Sequence, residues 1–482
     1  MKHKLINILI SCIFLTFGFS NSFILKSKSL TTTKLNYQSS ELETRLTDGY
    51  LRLVSPEKGS TAEIGLPELP IHTTFFQMKR DISYEVNYEV NSSYIIDNVN
   101  LYPYQGEPKN QNNEQFIKDY DFYNSNQIYP EKKLTVSEPM IMRDIEVGLI
   151  SFVPYQYNPI LKQLTIYEDV DITIEESGTR NSAITFPPQR SYLFESFYQD
   201  LIIDYEPLES RDEYQPSAIL YICGGSSISF PYVQDLIELR KQQGYIVYAV
   251  STSETGYYTS SVSNYLEEAM SWDVPPEIVG LIGDTNGSYP IYTYTIEGGA
   301  GDNEYAYISG NDFLPEIFIG RISAGSSSDL ANIITKTITY ETAEAQEFSW
   351  YDRAALIGDP SDSGVSTITT NQYLENLMTN HGMTDIRTNY GNGNYNSWAD
   401  GQFSTGVLYY NYRGYWGSSG INVSGMNSGD KAPFVTSLTC GTGDFNGETS
   451  ESEQFIRAGS VSNPQGGVAA VGVATLSTHT AY

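Results

Sequence analysis

The second half of the sequence contains a series of short, continuous apolar runs, and this pattern limits the fold more than any other feature. The runs begin after Gln215 and occupy residues 218–223, 246–250, 278–282, 354–357, 407–412, 434–438 and 467–473. Segments with the pattern of helices follow the first two runs, near residues 231–243 and 260–271. Strands that are apolar on both faces and alternate with helices are typical of a parallel sheet covered on both sides. We therefore predict an α/β domain with a mainly parallel sheet over residues 216–482.

Three of these runs end in short segments that carry polar or reactive side chains. Gly283 and Asp284 follow one run, residues 413–415 follow a second, and Cys440 lies at the centre of residues 439–441 after a third. In open α/β sheets the chemistry is located at the carboxyl ends of the strands. These segments are therefore the candidates for a functional site.

The first half of the sequence has a different pattern. Residues 82–94, 141–152 and 164–174 alternate between apolar and polar side chains, with Pro, Asn and Gly between the segments. This period of two predicts an all-β antiparallel sandwich or barrel over residues 40–205. Residues 187–214 are rich in charged and aromatic side chains but have no period, and we interpret them as a linker.

Residues 1–22 have the pattern of a secretory signal peptide. Lys2 and Lys4 precede an apolar run over residues 5–19, which is followed by small polar residues. The run is shorter than the roughly 20 residues that a membrane-spanning helix needs, so we predict export and no transmembrane segment. Acidic residues outnumber basic ones by 58 to 28, giving a net charge of −30. This charge argues against a nucleic-acid partner, which needs a basic face.

Cysteine and histidine are scarce. Cys12 lies in the predicted signal peptide, which leaves Cys223 and Cys440, and there are four histidines with no zinc-type spacing. No transition-metal site is predicted. Cys223 ends an apolar run and is typical of a small buried strand residue, although one disulfide with Cys440 is an alternative. Cys440 is at the tip of a glycine-flanked turn, where backbone N–H groups can stabilise a thiolate and an oxyanion. From the residues alone, a nucleophile and a buried structural cysteine both remain open.

Residues 439–445, TCGTGDF, resemble the nucleophile turn of the gingipain family of cysteine peptidases. Three further blocks resemble this family in the same order: VGLIGD at 279–284, GNDFLPEIFIGRIS at 310–323 and LYYNYRG at 408–414. GLPELP at 65–70 and VPYQYNP at 153–159 are similar to motifs of the family's pro-domain. The resemblance covers nearly the whole mature chain. It implies a caspase-like α/β catalytic domain over residues 216–482, preceded by an inhibitory β-rich pro-domain over residues 40–205.

The resemblance also implies functional residues. Cys440 corresponds to the nucleophile, Glu316 to the acidic residue that supports the catalytic histidine, and Asp329 to an acidic helix start linked to recognition of a basic side chain. The family's histidine position is occupied by Tyr415. A phenol with an ordinary pKa of about 10 stays protonated at neutral pH and does not easily accept a thiol proton. We therefore predict that, in an active enzyme, His479 supplies the base.

Further roles follow from these assignments. The N–H groups of Cys440 and Trp416 are the candidate oxyanion hole, and Tyr415 is then a pocket wall or a donor to the oxyanion. Simpler interpretations also stand. Glu316 is alternatively a surface carboxylate paired with Arg321 or Lys336. Asp329 is alternatively a helix cap, and His479 a solvated loop residue.

The main hypothesis for function is a secreted or surface-located bacterial cysteine endopeptidase, made as a zymogen. It implies polypeptide substrates, with the pro-domain as an intramolecular inhibitor. This chemistry requires no cofactor, and the sequence does not reveal whether calcium is bound. Because family members usually continue into further modules, C-terminal truncation is one interpretation of the end at Tyr482. Two alternatives are a catalytically inactive gingipain-like binding protein, suggested by Tyr415, and a carbohydrate-binding role for residues 40–205, suggested by the abundance of Tyr and Asn.

Overall fold

The structure is a computed structural model that describes residues 22–39, 42–54, 59–106, 116–182, 184, 186, 187, 189–343, 349–418 and 420–475. The chain divides into two compact units. The first contains the described residues up to Pro139 together with Val147–Ser182 and Tyr198–Glu206. The second contains Met140–Glu146, the described part of 183–197, and the described residues from Pro207 onward. Apart from Ser22, the predicted signal peptide lies outside the described residues.

Among the strands of the first 180 residues, Pro70–Met78 and Gln163–Thr179 alternate most clearly between buried and more exposed side chains. Within the described residues the strands are β1 (Phe23–Lys28), β2 (Thr32–Gln38), β3 (Glu43–Thr47), β4 (Tyr50–Val54), β5 (Gly59–Ser60), β6 (Pro70–Met78), β7 (Ile82–Ile96), β8 (Leu134–Val136), β9 (Met140–Met142), β10 (Ile145–Phe152), β11 (Tyr155–Asn158) and β12 (Gln163–Thr179). The described residues here also contain two short helices: α1 (Tyr120–Tyr123) lies between β7 and β8, and α2 (Glu195–Leu201) follows β12.

The first unit is a sandwich of antiparallel sheets. One sheet has the order β1-β2-β12-β11, with β7 also paired to β12, and the other has the order β5-β6-β10-β8. Alternate residues of β12, such as Val170, Ile172 and Ile174, are buried, because successive side chains of a strand point to opposite faces. They pack with Phe76 of β6 and Phe152 of β10, which joins the two sheets. The predicted antiparallel β structure is confirmed, with the short helices as an addition.

The second unit contains the parallel strands. Its strands in the described residues after Gln215 are β13 (Ala218–Cys223), β14 (Ile246–Ser251), β15 (Ile278–Ile282), β16 (Tyr294–Ile296), β17 (Gly299–Gly301), β18 (Phe318–Ile322), β19 (Arg353–Gly358), β20 (Asp385–Tyr390), β21 (Tyr409–Arg413), β22 (Phe434–Ser437), β23 (Gly459–Ser460), β24 (Asn463–Pro464) and β25 (Ala469–Gly472). Its helices are α3 (Pro231–Gln242), α4 (Thr252–Thr255), α5 (Thr259–Ala269), α6 (Ser327–Thr342), α7 (Ser366–Asn380), α8 (Tyr395–Thr405) and α9 (Glu451–Arg457). Short 3₁₀ turns occupy Arg211–Glu213, Ser227–Ser229, Asp302–Ala306 and Val423–Gly425.

The parallel strands are divided between two sheets, with the orders β14-β13-β15-β18 and β20-β19-β21-β22-β25. Both faces of the first sheet are buried. Leu220 and Ile222 of β13 pack towards α5, whereas Ile219 and Tyr221 pack towards α3 and α6. Burial on both faces explains why these strands are continuous apolar runs in the sequence.

The second parallel sheet contains a topological switch point between β19 and β21. The chain leaves β19 through α7 to reach β20 on one side, and leaves β21 to reach β22 on the other. In open α/β sheets, the crevice outside the carboxyl ends of such strands is the usual ligand site. In this chain the segments at that crevice begin at Asp359 and Gly414.

The interpretation of residues 187–214 as a linker is wrong. The segment contains α2, and Ser191, Phe194 and Tyr198 are almost fully buried. In the second unit, Phe194 packs on Phe318, with ring centroids 4.5 Å apart. Aromatic side chains without a regular period can still fill a core, and the absence of periodicity concealed this packing. Separately, no helix in the described residues is long and apolar enough to cross a membrane.

Candidate active site

Cys440 lies just beyond β22, and its side chain is buried, with 8% of the residue exposed. The backbone of Trp416, just beyond β21, forms a parallel β-bridge with Cys440. The Gly417 N–H donates to the Cys440 carbonyl at 3.2 Å. Since β21 and β22 are neighbours in the sheet, the bridge extends their pairing past the strand ends. The structure therefore brings Cys440, Tyr415 and Trp416 together.

The turn after Cys440 is fixed by a threonine and a glycine. The buried Thr442 hydroxyl donates to the carbonyls of Ser437 at 2.6 Å and Thr439 at 2.8 Å. The Gly443 N–H donates to the Val473 carbonyl at 3.0 Å. A Cβ on Gly443 would lie 2.6 Å from the carbonyl group of Gly472, so only glycine fits without displacing backbone. These contacts account for Thr442 and Gly443 in TCGTG.

Residues 310–323 hold the end of this turn. The Arg321 guanidinium lies over the Phe445 ring, 5.1 Å from its centroid. Arg321 itself is held by two hydrogen bonds to Asp302, at 2.7 and 2.8 Å. The Asp444 carboxylate accepts from the Ala300 N–H at 3.1 Å. The arginine of residues 310–323 thus supports the segment that follows the cysteine.

A cavity of 40 Å³ lies at the switch point beside Tyr415. It is lined by Asp359, Ser361, Asp362, Tyr412, Tyr415 and Trp416. Asp359 is buried and accepts hydrogen bonds from the Tyr412 hydroxyl at 3.1 Å, the Tyr395 hydroxyl at 3.3 Å and the Ser361 hydroxyl at 2.6 Å. Burial, and next the negative charge of Asp359, raise the pKa of Tyr395.

Sequence reasoning missed Asp359, although a signal for it was present. Gly358 and Asp359 end the apolar run at 354–357 in the same way that Gly283 and Asp284 end the run at 278–282. Asp284 itself lies at the carboxyl end of β15 in the other parallel sheet, where it accepts from the Arg457 guanidinium at 2.8 Å.

Arg413 belongs to one of the strand-end segments that the sequence marks as candidates, but its contact with the cysteine segment was not predicted. It ends β21, and its Nη1 donates to the Leu438 carbonyl, two residues before Cys440. Burial lowers the pKa of Arg413, and the negative charge of the Cys440 thiolate raises it. A guanidinium therefore faces the segment that carries the cysteine.

Glu316 is fully buried at the amino-terminal end of β18. Its Oε2 accepts from the N–H groups of Ile308 at 2.6 Å and Ser309 at 3.1 Å, while Oε1 has no hydrogen-bond partner among the described residues. Burial raises the pKa of Glu316 to about 8, although the two N–H groups oppose this rise. The alternative of a surface ion pair with Arg321 or Lys336 is therefore wrong.

Asp329 lies in the first turn of α6, after the N-cap residue Ser326. The Ser326 hydroxyl donates to the Asp329 carboxylate at 2.7 Å, and the Asp329 N–H donates to the same hydroxyl at 3.2 Å. These contacts are those of a helix cap. His479 lies outside the described residues. Cys223 is buried in β13, and neither of the two described cysteines forms a disulfide.

Comparison with known proteins gives two family matches. The model of Peptidase family C25 matches residues 213–481, and the Propeptide_C25 model matches residues 21–209. Gingipain R1 of Porphyromonas gingivalis is 27% identical over 456 residues, which cover 88% of this chain and 45% of the relative. Gingipain R2 of the same organism is 28% identical over 416 residues, covering 80% and 54%.

Among solved structures, the crystal structure of the Arg specific cysteine proteinase gingipain R (RGPB) is 26% identical to this chain. The similarity covers 55% of this chain and 64% of that chain, with a TM-score of 0.48. The chain spans about half the length of the curated relatives described above.

Proposed function

The chain belongs to peptidase family C25 and carries the family's propeptide, and on this premise we propose that it is the zymogen of an exported cysteine endopeptidase with Cys440 as nucleophile. The observation that carries the proposal is the parallel bridge between Trp416 and Cys440 at the ends of adjacent strands. It places a thiol on a hydrogen-bonded turn beyond the carboxyl ends of adjacent strands, where the chemistry of such sheets is expected.

The proposed reaction begins with the Cys440 thiol giving its proton to a base, for which we propose His479. The sulfur then forms a bond to the carbonyl carbon of the scissile peptide, and the C=O π electrons move to the oxygen. We propose that this oxyanion is stabilised by the N–H groups of Cys440 and Trp416. Tyr415 lines the pocket or donates a further hydrogen bond. The C–N bond breaks as the leaving amine takes the proton held by the base.

The second half of the reaction restores the enzyme. Water attacks the thioester carbonyl and gives a proton to the base, the C–S bond breaks as the sulfur takes that proton back, and the carboxylic acid product leaves. We propose polypeptide substrates, with the β-rich unit as intramolecular inhibitor and the cell surface or exterior of a bacterium as the location. Asp329, in a substrate pocket, and Glu316, in support of the base, complete the proposed assignments.

A second candidate function is a catalytically inactive binding protein of the same family. It is favoured by Tyr415, which follows β21 at the position of the family histidine and is 39% exposed. A phenol with an ordinary pKa of about 10 is a poor acceptor of a thiol proton at neutral pH. The two candidates differ in whether peptide bonds are broken.

Hydrolysis of a quenched fluorescent peptide library by the processed protein tests the proposal. We expect turnover by the unmodified sequence, none by Cys440→Ala, and retained turnover by the matched control Cys223→Ala. Equal turnover in Cys440→Ala would identify a contaminant or a different nucleophile. No turnover by the unmodified sequence at any pH from 5 to 9 would favour the binding protein.

A further inference from the structure

We propose that the Arg413 guanidinium holds Cys440 in its reactive thiolate form, and so supplies the positive charge at this site where Tyr415 cannot. The inference rests on the proposed role of Cys440 as nucleophile. It is nevertheless testable on the thiol itself, without peptide hydrolysis. Arg413 is in this view a positioning residue that acts through the charge of the sulfur.

The geometry of β21 and β22 places Arg413 beside the cysteine segment. In the register of the two strands Tyr412 faces Ser437, and the Leu438 N–H donates to the Tyr412 carbonyl at 3.3 Å. Arg413 comes next along β21, and its side chain reaches across to the Leu438 carbonyl. Farther along both segments, the bridge between Trp416 and Cys440 pairs them again. The segment from Leu438 to Cys440 is thus held to β21 and to the residues that follow it.

The charges of Arg413 and Cys440 interact in this arrangement. Burial raises the energetic cost of the guanidinium charge and so lowers the pKa of Arg413, and the negative charge of the Cys440 thiolate opposes this shift. The interaction is mutual, because a nearby opposite charge favours the charged form of each partner. Arginine beside a cysteine lowers the energy of the thiolate in the same way as lysine or a protonated histidine does.

Three acidic residues lie on the segments around the site. Asp359 follows β19 and shares the cavity wall with Tyr415 and Trp416. Glu451, in the first turn of α9, accepts from the Ser418 N–H at 2.9 Å. Asp444 lies in the same turn as Cys440. Arg413 supplies a positive charge on the segment that carries Cys440.

The chemistry limits Arg413 to an electrostatic role. A guanidinium has donors only and does not lose its proton in proteins, so Arg413 cannot accept the thiol proton. That proton leaves for solvent or for a separate base when the ion pair forms. The Tyr415 hydroxyl stays available as a hydrogen-bond donor.

The test is the rate at which iodoacetamide alkylates Cys440 between pH 5 and 9, followed by peptide mass mapping on the full chain. In this reaction the thiolate sulfur forms a C–S bond as the C–I bond breaks and iodide leaves. We expect Arg413→Gln to slow alkylation at pH 6.5 about tenfold, the lower end of the effect of a close opposite charge. Arg413→Lys should restore most of the rate. Arg387→Gln, which removes an arginine of β20 that pairs with Asp385, should leave it unchanged.

Several results would overturn the inference. One is a pH profile of alkylation in Arg413→Gln that equals that of the unmodified chain. Another is a shift of this profile in His479→Ala but not in Arg413→Gln. If Arg413→Gln fails to fold, the unmodified chain still decides, because its Cys440 must react at pH 6.5 at least tenfold faster than a cysteine in a short peptide. Fast alkylation without any peptidase activity would support Arg413 and contradict the proposed function. Peptidase activity together with an alkylation rate that is unchanged in Arg413→Gln would overturn this inference and leave the proposed function standing.

Discussion

Lys336 offers a test of the packing between α6 and α9. Its ammonium group is buried, with 3% of the residue exposed, and donates to the carbonyls of Gln465 at 2.9 Å and of Phe455 and Ala458 at 3.4 Å. The last two carbonyls lie near the C-terminal end of α9, where a positive charge is favourable. Desolvation nevertheless dominates and lowers the pKa of Lys336 from 10.5 to about 7.

The direction of the pH effect follows from this lowered pKa. Between pH 7 and 10.5 the unfolded chain keeps the Lys336 proton while the folded chain has lost it, so the free energy of unfolding rises with pH. From pH 7 to 9 the gain is about 2 kcal/mol, because each pH unit contributes at most about 1.4 kcal/mol and half of the folded chain is already deprotonated at the start. For a unit of about 300 residues, whose entropy of unfolding is about 0.6 kcal/mol/K, that gain corresponds to a rise in Tm of roughly 3 °C.

The assay is thermal unfolding at pH 7 and pH 9, followed by tryptophan fluorescence. The gain in Tm should be present in the unmodified chain and absent in Lys336→Met, whose side chain fills similar space without a charge. Subtracting the variant cancels the contributions of other titrating groups. The matched control is Lys241→Met, an exposed lysine of α3, which should keep the full gain. An equal gain in Lys336→Met would show that Lys336 is charged at pH 7 to 9 in both states and would refute the reasoning.

Three further predictions concern single side chains. Cys223→Ala should lower the free energy of unfolding by about 1 kcal/mol and leave peptidase activity in place, because a small buried thiol is lost from the core; complete loss of activity in a folded protein would contradict this. His479→Ala should remove activity together with the acid limb near pH 6 to 7, and Tyr415→Phe should be milder, so full activity in His479→Ala would exclude that base. The free energy of unfolding should fall as the pH rises from 4.5 to 8, because the raised pKa of Glu316 keeps it neutral in the folded state while it ionises in the unfolded chain, and Glu316→Gln should abolish this fall. An unchanged pH profile in the variant would place an ionised carboxylate there.

The parallel strands were predictable from the sequence because strands that are buried on both faces appear as continuous apolar runs. Each of the seven predicted strands after Gln215 agrees with the structure to within two residues. The gingipain resemblance is confirmed by the family matches over residues 213–481 and 21–209. Its motifs were recognisable because they form turns with strict backbone requirements. Gly443, for example, has no space for a Cβ against Gly472.

The roles of Asp359 and Arg413 were not predictable, because they depend on strand order. Asp359 meets Tyr412 because β19 pairs with β21, and Arg413 meets Leu438 because β21 pairs with β22. Local sequence patterns specify each strand but not its neighbours. Glu316 illustrates the same limit: its burial comes from distant segments, which its local sequence does not show.

The central claim, that Cys440 is an activated nucleophile, is tested most directly by a peptidyl electrophile. The protein freed of its pro-domain is treated at pH 7 with a peptidyl acyloxymethyl ketone, digested, and mapped by mass spectrometry. Burial raises the pKa of the Cys223 thiol to about 12, which makes it an internal control within the same chain. We predict stoichiometric modification of Cys440 and none of Cys223. An unmodified Cys440 in the folded protein, or equal labelling of both cysteines, would contradict the account.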